Sequence, residues 1–268
     1  MQTIEEFLMQ CKQALMGVLM MSLSSVAFAE EINIAAASDL KFAMDEIITQ
    51  FKKANPVDDV HVIYGSSGKM FTQIQQDAPY DLYFSADISY PDKLAVAGFA
   101  VGPATPYAFG RIVLWSPKAQ LDASKLSLED LTRADITRIA IANPKHAPYG
   151  KRAVEALRSK NLMDKVEPKL VYGENIAQTA QFVQTGNAQV GIIALSLALS
   201  EALSKQGGYW LIPDTLHKPL KQGYIITKRA ENNPLAKKFS AYISSAEARK
   251  IMVKYGFILP GDNKGKSQ

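Results

Sequence analysis

The sequence has few of the cysteine and histidine residues that disulfide-stabilised and metal-stabilised folds require. Its 268 residues include a single cysteine and only three histidines. One cysteine cannot form an internal disulfide, and the histidines stand apart from one another without the spacing of a zinc site. These shortages exclude a disulfide-stabilised scaffold and a zinc framework, and they argue against metal catalysis.

Long basic runs are absent as well. Charged residues make up 21% of the chain, hydrophobic residues 47%, and the formal net charge is +4. The positive residues are scattered and form no stripe that would suit a nucleic-acid surface, so we expect no nucleic-acid partner. The composition is that of an ordinary globular protein, long enough for one large or two medium domains.

The one sustained apolar run lies at the N-terminus. Residues Ala14–Ala29 read ALMGVLMMSLSSVAFA, with Lys12 upstream and Ala27-Phe28-Ala29 before Glu30. This layout is typical of a signal peptide. A membrane anchor is the alternative, but the run is shorter than the roughly 20 apolar residues of a span and contains serines. We predict a signal peptide over residues 1–29 and export to the periplasm.

From Glu31 onward, short apolar runs alternate with amphipathic helical patterns. The order strand, helix, strand predicts parallel sheets covered by helices. The first series comprises predicted strands Ile32–Ala37, Val60–Tyr64 and Asp81–Ser85, and helices Leu40–Phe51, Ser67–Gln76 and Tyr90–Ala97.

A second series follows Gly110 and indicates a second α/β lobe. Two terminal helices, Pro234–Ile243 and Ala246–Tyr255, have no sheet of their own and are expected to return to the first lobe. We therefore predict one lobe from residues 30–109 plus 224–268 and another from residues 110–223, joined by two crossover strands that form a hinge. A ligand would lie in the cleft between them. The second series comprises predicted strands Ile112–Trp115, Ile139–Ala142, Leu170–Tyr172 and Val190–Ala194, and helices Tyr149–Lys160 and Ile176–Gln184. Two further strands are predicted near Tyr209–Ile212 and Tyr224–Thr227, ahead of the terminal helices.

Small and polar residues mark four junctions where a strand leads into a helix. The carboxyl ends of strands are where open α/β sheets bind ligands, and helix N-termini with free N–H groups form uncharged anion sites. Serine, aspartate and asparagine are also ordinary helix caps, so the argument depends on the number and symmetry of the junctions. They are Ala37-Ser38-Asp39, Gly65–Gly68, His146–Gly150 and Gly173–Ile176.

Enzymatic interpretations find less support. The segment Gly65-Ser66-Ser67-Gly68-Lys69 has two residues where a phosphate-binding P-loop has four between its glycine and the Gly-Lys pair. It also lacks the spacing of a hydrolase nucleophile motif, and no histidine and acid follow in a recognisable order. For His146 a backbone or solvent contact is the expected role. We predict that the protein is not an enzyme.

A resemblance to a known family covers essentially the whole chain after residue 30. Several blocks, in order, resemble those of the periplasmic molybdate-binding proteins of ABC importers, and three of them fall on the junctions described above. The blocks are IAAASDLKFAMDEI, YGSSGKMFTQI, APYDLYFSAD, GRIVLWSP, IANPKHAPYG, GENIAQTAQFVQTGNA and VGIIALS.

The resemblance implies a type II periplasmic-binding fold, each lobe a mainly parallel sheet flanked by helices. It further implies capture of molybdate or tungstate in the cleft, without other cofactors, and delivery to the permease of an ABC importer. The oxyanion would be held by hydroxyls and backbone amides at Ser38, Ser67, Tyr149 and Ile176. One branch of the family supplies a tyrosine hydroxyl where this chain has Ala194; Tyr149 is expected to compensate.

Asp39 also aligns with a contributing position, although a carboxylate would repel a dianion strongly in a dry cleft. We expect its side chain to turn away and cap the helix, while its backbone amide faces the ligand.

Fixed neutral donors match a fully deprotonated oxyanion and disfavour one that carries a proton. Sulfate has the charge of molybdate, so a sulfate receptor is the main alternative. A cytoplasmic regulator of the same architecture would carry a DNA-binding segment instead of an export signal. We expect a monomer whose partners are the oxyanion and the permease.

Overall fold

The computed structural model describes residues 30–261. The predicted signal peptide, residues 1–29, lies outside the described residues. Over the described range no helix is both long and apolar enough to cross a membrane. The strands are β1 Glu31–Ala37, β2 Asp59–Gly65, β3 Leu82–Ser85, β4 Thr105–Gly110, β5 Ile112–Pro117, β6 Ile139–Ala142, β7 Leu170–Gly173, β8 Val190–Ala194, β9 Gly207–Leu211 and β10 Leu220–Ile226.

Ten α-helical segments accompany these strands in the described part of the chain, and short 3-10 turns complete the connections. A 3-10 turn over Ser38–Leu40 joins β1 to the first helix. The helices are α1 Lys41–Ala54, α2 Ser67–Gln75, α3 Ser89–Val96, α4 Pro148–Ser159, α5 Met163–Val166, α6 Ile176–Gln184, α7 Leu195–Ala198, α8 Glu201–Gln206, α9 Pro234–Ile243 and α10 Ala246–Lys254.

Two five-stranded sheets define the two lobes. The first has the order β2-β1-β3-β10-β4 and the second the order β7-β6-β8-β5-β9. The prediction of a two-lobed α/β fold is confirmed. The sheets are mixed rather than mainly parallel, because β10 runs antiparallel to β3 and β4, and β5 runs antiparallel to β8 and β9. The reversed strands are those next to the crossings between lobes, where the chain enters each sheet from the opposite end.

The chain crosses between the sheets twice. Strand β4 ends at Gly110 and β5 begins at Ile112, so the first crossing is almost direct. The second lies between β9 and β10. All of β10 pairs within the first sheet, so the return is complete by Leu220, ahead of the boundary at residue 224 drawn from the sequence. A Cβ on Gly110 would collide with the Tyr149 hydroxyl, which explains a glycine at this crossing.

Each lobe has its own hydrophobic core. In the first lobe, β1 and α1 pack with the returning helices α9 and α10, and Ile34, Met44, Phe51, Phe239 and Met252 are buried there. The core side of α1 repeats at intervals of three and four residues, as its amphipathic pattern predicts. The terminal helices thus belong to the first lobe. A separate core packs around β5, β6 and β8 in the second.

Candidate functional site

A small cavity lies between the lobes, at the carboxyl ends of the central parallel strands. Residues of both lobes line it, and hydrogen bonds between the lobes hold them in a closed arrangement. All five residues predicted from the sequence as ligand-binding line it. The lining residues are Ala37, Ser38, Asp39, Gly65, Ser66, Ser67, Ala86, Ala147, Pro148, Tyr149 and Ile176.

Helix N-termini from both lobes converge on this cavity. Ser67 begins α2, Pro148 begins α4 and Ile176 begins α6. The first N–H groups of a helix have no acceptor within the helix, and the helix dipole adds partial positive charge there. In α4 the first helical bond is donated by the Lys151 N–H, so the Tyr149 N–H has no acceptor within its own helix. Such a cluster can hold an anion without a formal positive charge.

Ser67 presents a hydroxyl with a free proton. Its Oγ accepts a hydrogen bond of 3.0 Å from the Ala86 N–H, and the side chain is 1% exposed. A serine hydroxyl carries one proton to donate besides its acceptor positions. Because the Ala86 contact uses only an acceptor position, the Ser67 proton is available to a ligand in the cavity.

Ser38 joins the two lobes. Its Oγ donates to Oδ1 of Asn175 at 3.1 Å and accepts from the Ala177 N–H at 3.2 Å. Asn175 in turn caps α6 by accepting from the Gln178 N–H. A hydroxyl rotates freely, so the proton now given to Asn175 is the one that Ser38 could offer to an anion.

Asp39 does not cap its helix, and that expectation is wrong. Its carboxyl group instead meets stronger side-chain donors: Oδ2 accepts from the Tyr149 hydroxyl at 2.9 Å and from Nε2 of Gln222 at 2.8 Å. Burial raises the pKa of Asp39, hydrogen bonds from Gln222, Tyr149 and the nearby backbone only partly offset this, and the resulting pKa is about 6. Its Oδ1 is buried and has no hydrogen-bond partner among residues 30–261.

The Tyr149 hydroxyl is engaged with this network rather than with the cavity. It donates to Asp39 and accepts from Nε2 of Gln222 at 3.1 Å. Burial and the neighbouring Asp39 raise the pKa of Tyr149 well above its usual value, so the phenol stays protonated. A contact from the Tyr149 hydroxyl to the ligand stays a prediction. In this structure the hydroxyl is bonded to Asp39 and Gln222, and the Tyr149 backbone N–H remains as a donor.

Gln222 and Tyr107 extend the hydrogen-bond network of the candidate site, and the sequence did not reveal them. Tyr107 donates to Oε1 of Gln222 at 2.6 Å, which orients the amide so that its Nε2 faces Asp39. Both side chains are buried. In the sequence of β10, Gln222 follows the exposed Lys221 and is not marked as buried by any local motif.

The mouth of the cleft is closed by polar contacts between the lobes. Ser66 Oγ donates to the His146 carbonyl oxygen at 2.7 Å and lies 2.9 Å from its Nδ1, and the Gly68 N–H donates to the same carbonyl. Lys69 forms an ion pair with Glu174 across the opening. The His146 ring contacts the Ser66 and Glu174 side chains rather than a neighbouring backbone group, and the His146 carbonyl joins the lobes.

The cavity is almost free of formal charge. Its lining contains no lysine, arginine or histidine, and Asp39 is its one ionisable carboxyl group. No group of three or more metal-ligating side chains occurs in the described part of the chain. The arrangement suits a small anion held by neutral hydroxyl and amide donors. Two α/β lobes that close on such a site define an oxyanion-type solute-binding protein.

Comparisons with known proteins agree with this class. The chain belongs to the family of bacterial extracellular solute-binding proteins, whose model matches residues 32–258. It is similar to the molybdate-binding protein ModA of Rhodobacter capsulatus, with 37% identity over 90% of this chain and 93% of the relative. ModA of Escherichia coli is 32% identical over 87% of this chain and 91% of its own length.

A solved structure shows the same fold. The periplasmic molybdate-binding protein of Azotobacter vinelandii superposes with a TM-score of 0.78 at 30% sequence identity, covering 85% of this chain and 99% of that one. The resemblance noted in the sequence blocks thus extends over both lobes.

Proposed function

We propose that this protein captures molybdate or tungstate in the cavity between its lobes and delivers it to the permease of an ABC importer. It would act in the periplasm after removal of residues 1–29. The observation that carries the proposal is the convergence of helix N-termini and serine hydroxyls from both lobes on one cavity without a basic side chain. The molybdate-binding relatives support the choice of anion.

The donors of the cavity favour a ligand that needs no proton of its own. Backbone N–H groups and the Ser67 hydroxyl all donate, so a protonated oxyanion would place its hydrogen against another donor. Molybdate, tungstate and sulfate avoid this conflict. A sulfate receptor is therefore the remaining alternative. Sulfate is smaller than molybdate and tungstate, so the fit of the anion to the cavity decides between these ligands.

Catalysis is the competing class of function, and the contact between Ser66 and His146 is the feature that raises it. Glu174 lies 3.5 Å from Nε2 of His146, which completes a serine, histidine and acid set. However, Ser66 also donates to the His146 backbone carbonyl at 2.7 Å, which directs its proton away from the ring. We therefore assign this set to closing the cleft, and we expect no turnover of the bound anion.

Thermal unfolding with a panel of anions tests the proposal. A ligand at about 100 times its dissociation constant adds about 2.7 kcal/mol to the folded state, which raises the melting temperature of a domain of this size by several degrees. Molybdate and tungstate should produce this shift, and orthophosphate should not. A shift with sulfate alone would establish the alternative receptor. Unchanged melting with millimolar molybdate and tungstate would refute oxyanion capture.

A further inference from the structure

We propose that anion capture is coupled to the uptake of one proton by Asp39, whose protonated Oδ1 then donates a hydrogen bond to the bound oxyanion. The inference rests on the proposed function, since it assigns a role to a residue of the same cavity. It makes Asp39 a binding residue that acts in its neutral form, with the proton taken from solvent.

The two carboxyl oxygens of Asp39 have different surroundings. Oδ2 accepts two hydrogen bonds, from Tyr149 and Gln222, so this oxygen is used as an acceptor. Oδ1 is buried without a partner in the described structure, and Asp39 lines the cavity. When the carboxyl group is protonated, the proton is therefore placed on Oδ1. The Oδ1–H group then has no acceptor until an anion enters the cavity.

The groups that face Asp39 supply no compensating charge. Its carboxyl group receives neutral donors from Tyr149 on α4 and Gln222 on β10, and Tyr107 on β4 stands behind Gln222. Ser196 on α7 donates to the Asp39 backbone carbonyl. Within residues 30–261, no lysine, arginine or histidine forms an ion pair with Asp39. The repulsion between an ionised Asp39 carboxylate and a bound dianion would therefore not be offset by a positive charge.

Electrostatics then fixes the direction of the proton transfer. Burial, partly offset by the hydrogen bonds that Asp39 accepts, already raises the pKa of Asp39 to about 6 in the closed cleft. A dianion beside the carboxyl group raises it further, because a like charge disfavours the ionised form. At pH 7.5 the ligand-free protein therefore holds Asp39 mostly ionised, and binding the anion brings in a proton.

The proton also restores a donor that this chain lacks. The resemblance places a tyrosine hydroxyl of other family members where this chain has Ala194, and the Tyr149 hydroxyl is committed to Asp39. The Oδ1 proton of Asp39 would provide one more hydrogen bond to the anion.

Calorimetry measures the coupling directly. Molybdate and sulfate would be titrated at pH 7.5 in two buffers that are not oxyanions and that differ in ionisation enthalpy. We expect close to one proton taken up per anion bound, and a dissociation constant that rises about tenfold per pH unit between pH 7 and 8.5. Binding without proton uptake, and with a constant affinity across this range, would overturn the proposal.

Asp39→Asn isolates the carboxyl group. Its amide nitrogen would replace the protonated Oδ1 as a donor, so proton uptake and the pH dependence should both disappear. Asp45→Asn is the matched control, because Asp45 is exposed on the neighbouring helix and should leave the uptake at one proton. Persistent uptake in Asp39→Asn would locate the proton elsewhere and reject the proposal.

Infrared difference spectra of the wild-type protein give a test that needs no variant. Adding molybdate at pH 7.5 should produce the C=O stretch of a protonated carboxyl group, and its absence would contradict proton uptake. If orthophosphate bound more tightly than sulfate without proton uptake, Asp39 would be an ionised acceptor and the proposal would fail. If neither molybdate nor sulfate bound at any pH, the proposed function itself would be wrong.

Discussion

The Tyr149 hydroxyl, carried by the second lobe, donates a 2.9 Å hydrogen bond to Oδ2 of Asp39, carried by the first. Both side chains are almost completely buried. The bond connects the two lobes, because Asp39 lies in the 3-10 turn after β1 and Tyr149 lies in the first turn of α4. The one carboxyl group that lines the cavity is thus hydrogen-bonded to the opposite lobe.

Ser67→Ala should weaken molybdate binding more than Ser66→Ala. Ser67 has a free hydroxyl proton at the cavity, whereas Ser66 is occupied with His146 at the mouth. A hydrogen bond to a charged partner is worth about 1.5 to 3 kcal/mol, so Ser67→Ala should lose roughly tenfold to hundredfold in affinity by calorimetry. Equal losses in both variants would show that the Ser67 hydroxyl does not contact the anion.

Asp39→Asn should stabilise the ligand-free protein at pH 7.5. The folded-state pKa of Asp39 is about 6, above its usual 3.8, so ionisation carries a cost in the folded state. This cost is absent below pH 3.8, develops as pH rises to about 6 and is complete above that. The gain is at most about 3 kcal/mol.

Urea unfolding of Asp39→Asn and the parent, compared at pH 7.5 and at pH 4, measures this gain. The difference in free energy of unfolding should shrink strongly at the lower pH. Asp164→Asn, an exposed change, should stay within about 0.5 kcal/mol at both. A gain that is equal at both pH values would show that the carboxylate charge is not its cause.

Lys69→Met should weaken binding slightly and only at low salt. The Lys69 and Glu174 side chains bridge the lobes but are 54% and 43% exposed, and exposed ion pairs contribute about 0.2 to 1 kcal/mol. We expect up to a fivefold rise in the molybdate dissociation constant, lost near 1 M salt. Lys205→Met removes a pair with Glu201 that lies within one lobe, so it should have no effect. A loss that persists at high salt would mean that Lys69 acts by something other than this pair.

The exported protein should begin at Glu30. This prediction concerns residues outside the described range and depends on the Ala27-Phe28-Ala29 pattern. Intact-mass analysis of periplasmic material provides the measurement. Retention of Met1 on a membrane-bound species would contradict both the processing and the location.

Most of the fold could be predicted because its central elements carry strong periodicity. Strand β6 and helix α6 have the bounds expected from their patterns, since buried parallel strands are continuous apolar runs and α6 has a clear asparagine cap. Strand β4, Thr105–Gly110, was missed because its sequence TPYAFG contains a proline and shows no regular alternation. Strand direction next to the crossings depends on the tertiary path of the chain, which local patterns do not contain.

The residues of the candidate site likewise fall into those that local sequence patterns predict and those that depend on contacts between distant segments. The helix starts at Ser38, Ser67 and Ile176 could be located because small polar residues after a strand have a local signature. The partner of Asp39 could not, since Gln222 is 183 residues away in the sequence. The sequence identified the repulsion problem at Asp39, and only the structure shows that long-range side-chain donors, rather than helix capping, deal with it.

Strand β10 has a consequence for how the protein folds. It lies between β3 and β4, yet it follows both of them by more than a hundred residues. The sheet of the first lobe therefore stays incomplete until nearly the whole polypeptide has been made, whereas the second lobe is formed from one continuous stretch. Pairings between distant segments form slowly, so we expect the second lobe to fold first and the first lobe to set the overall rate. In the exported protein that we propose, this delay would keep the chain unfolded while it crosses the membrane.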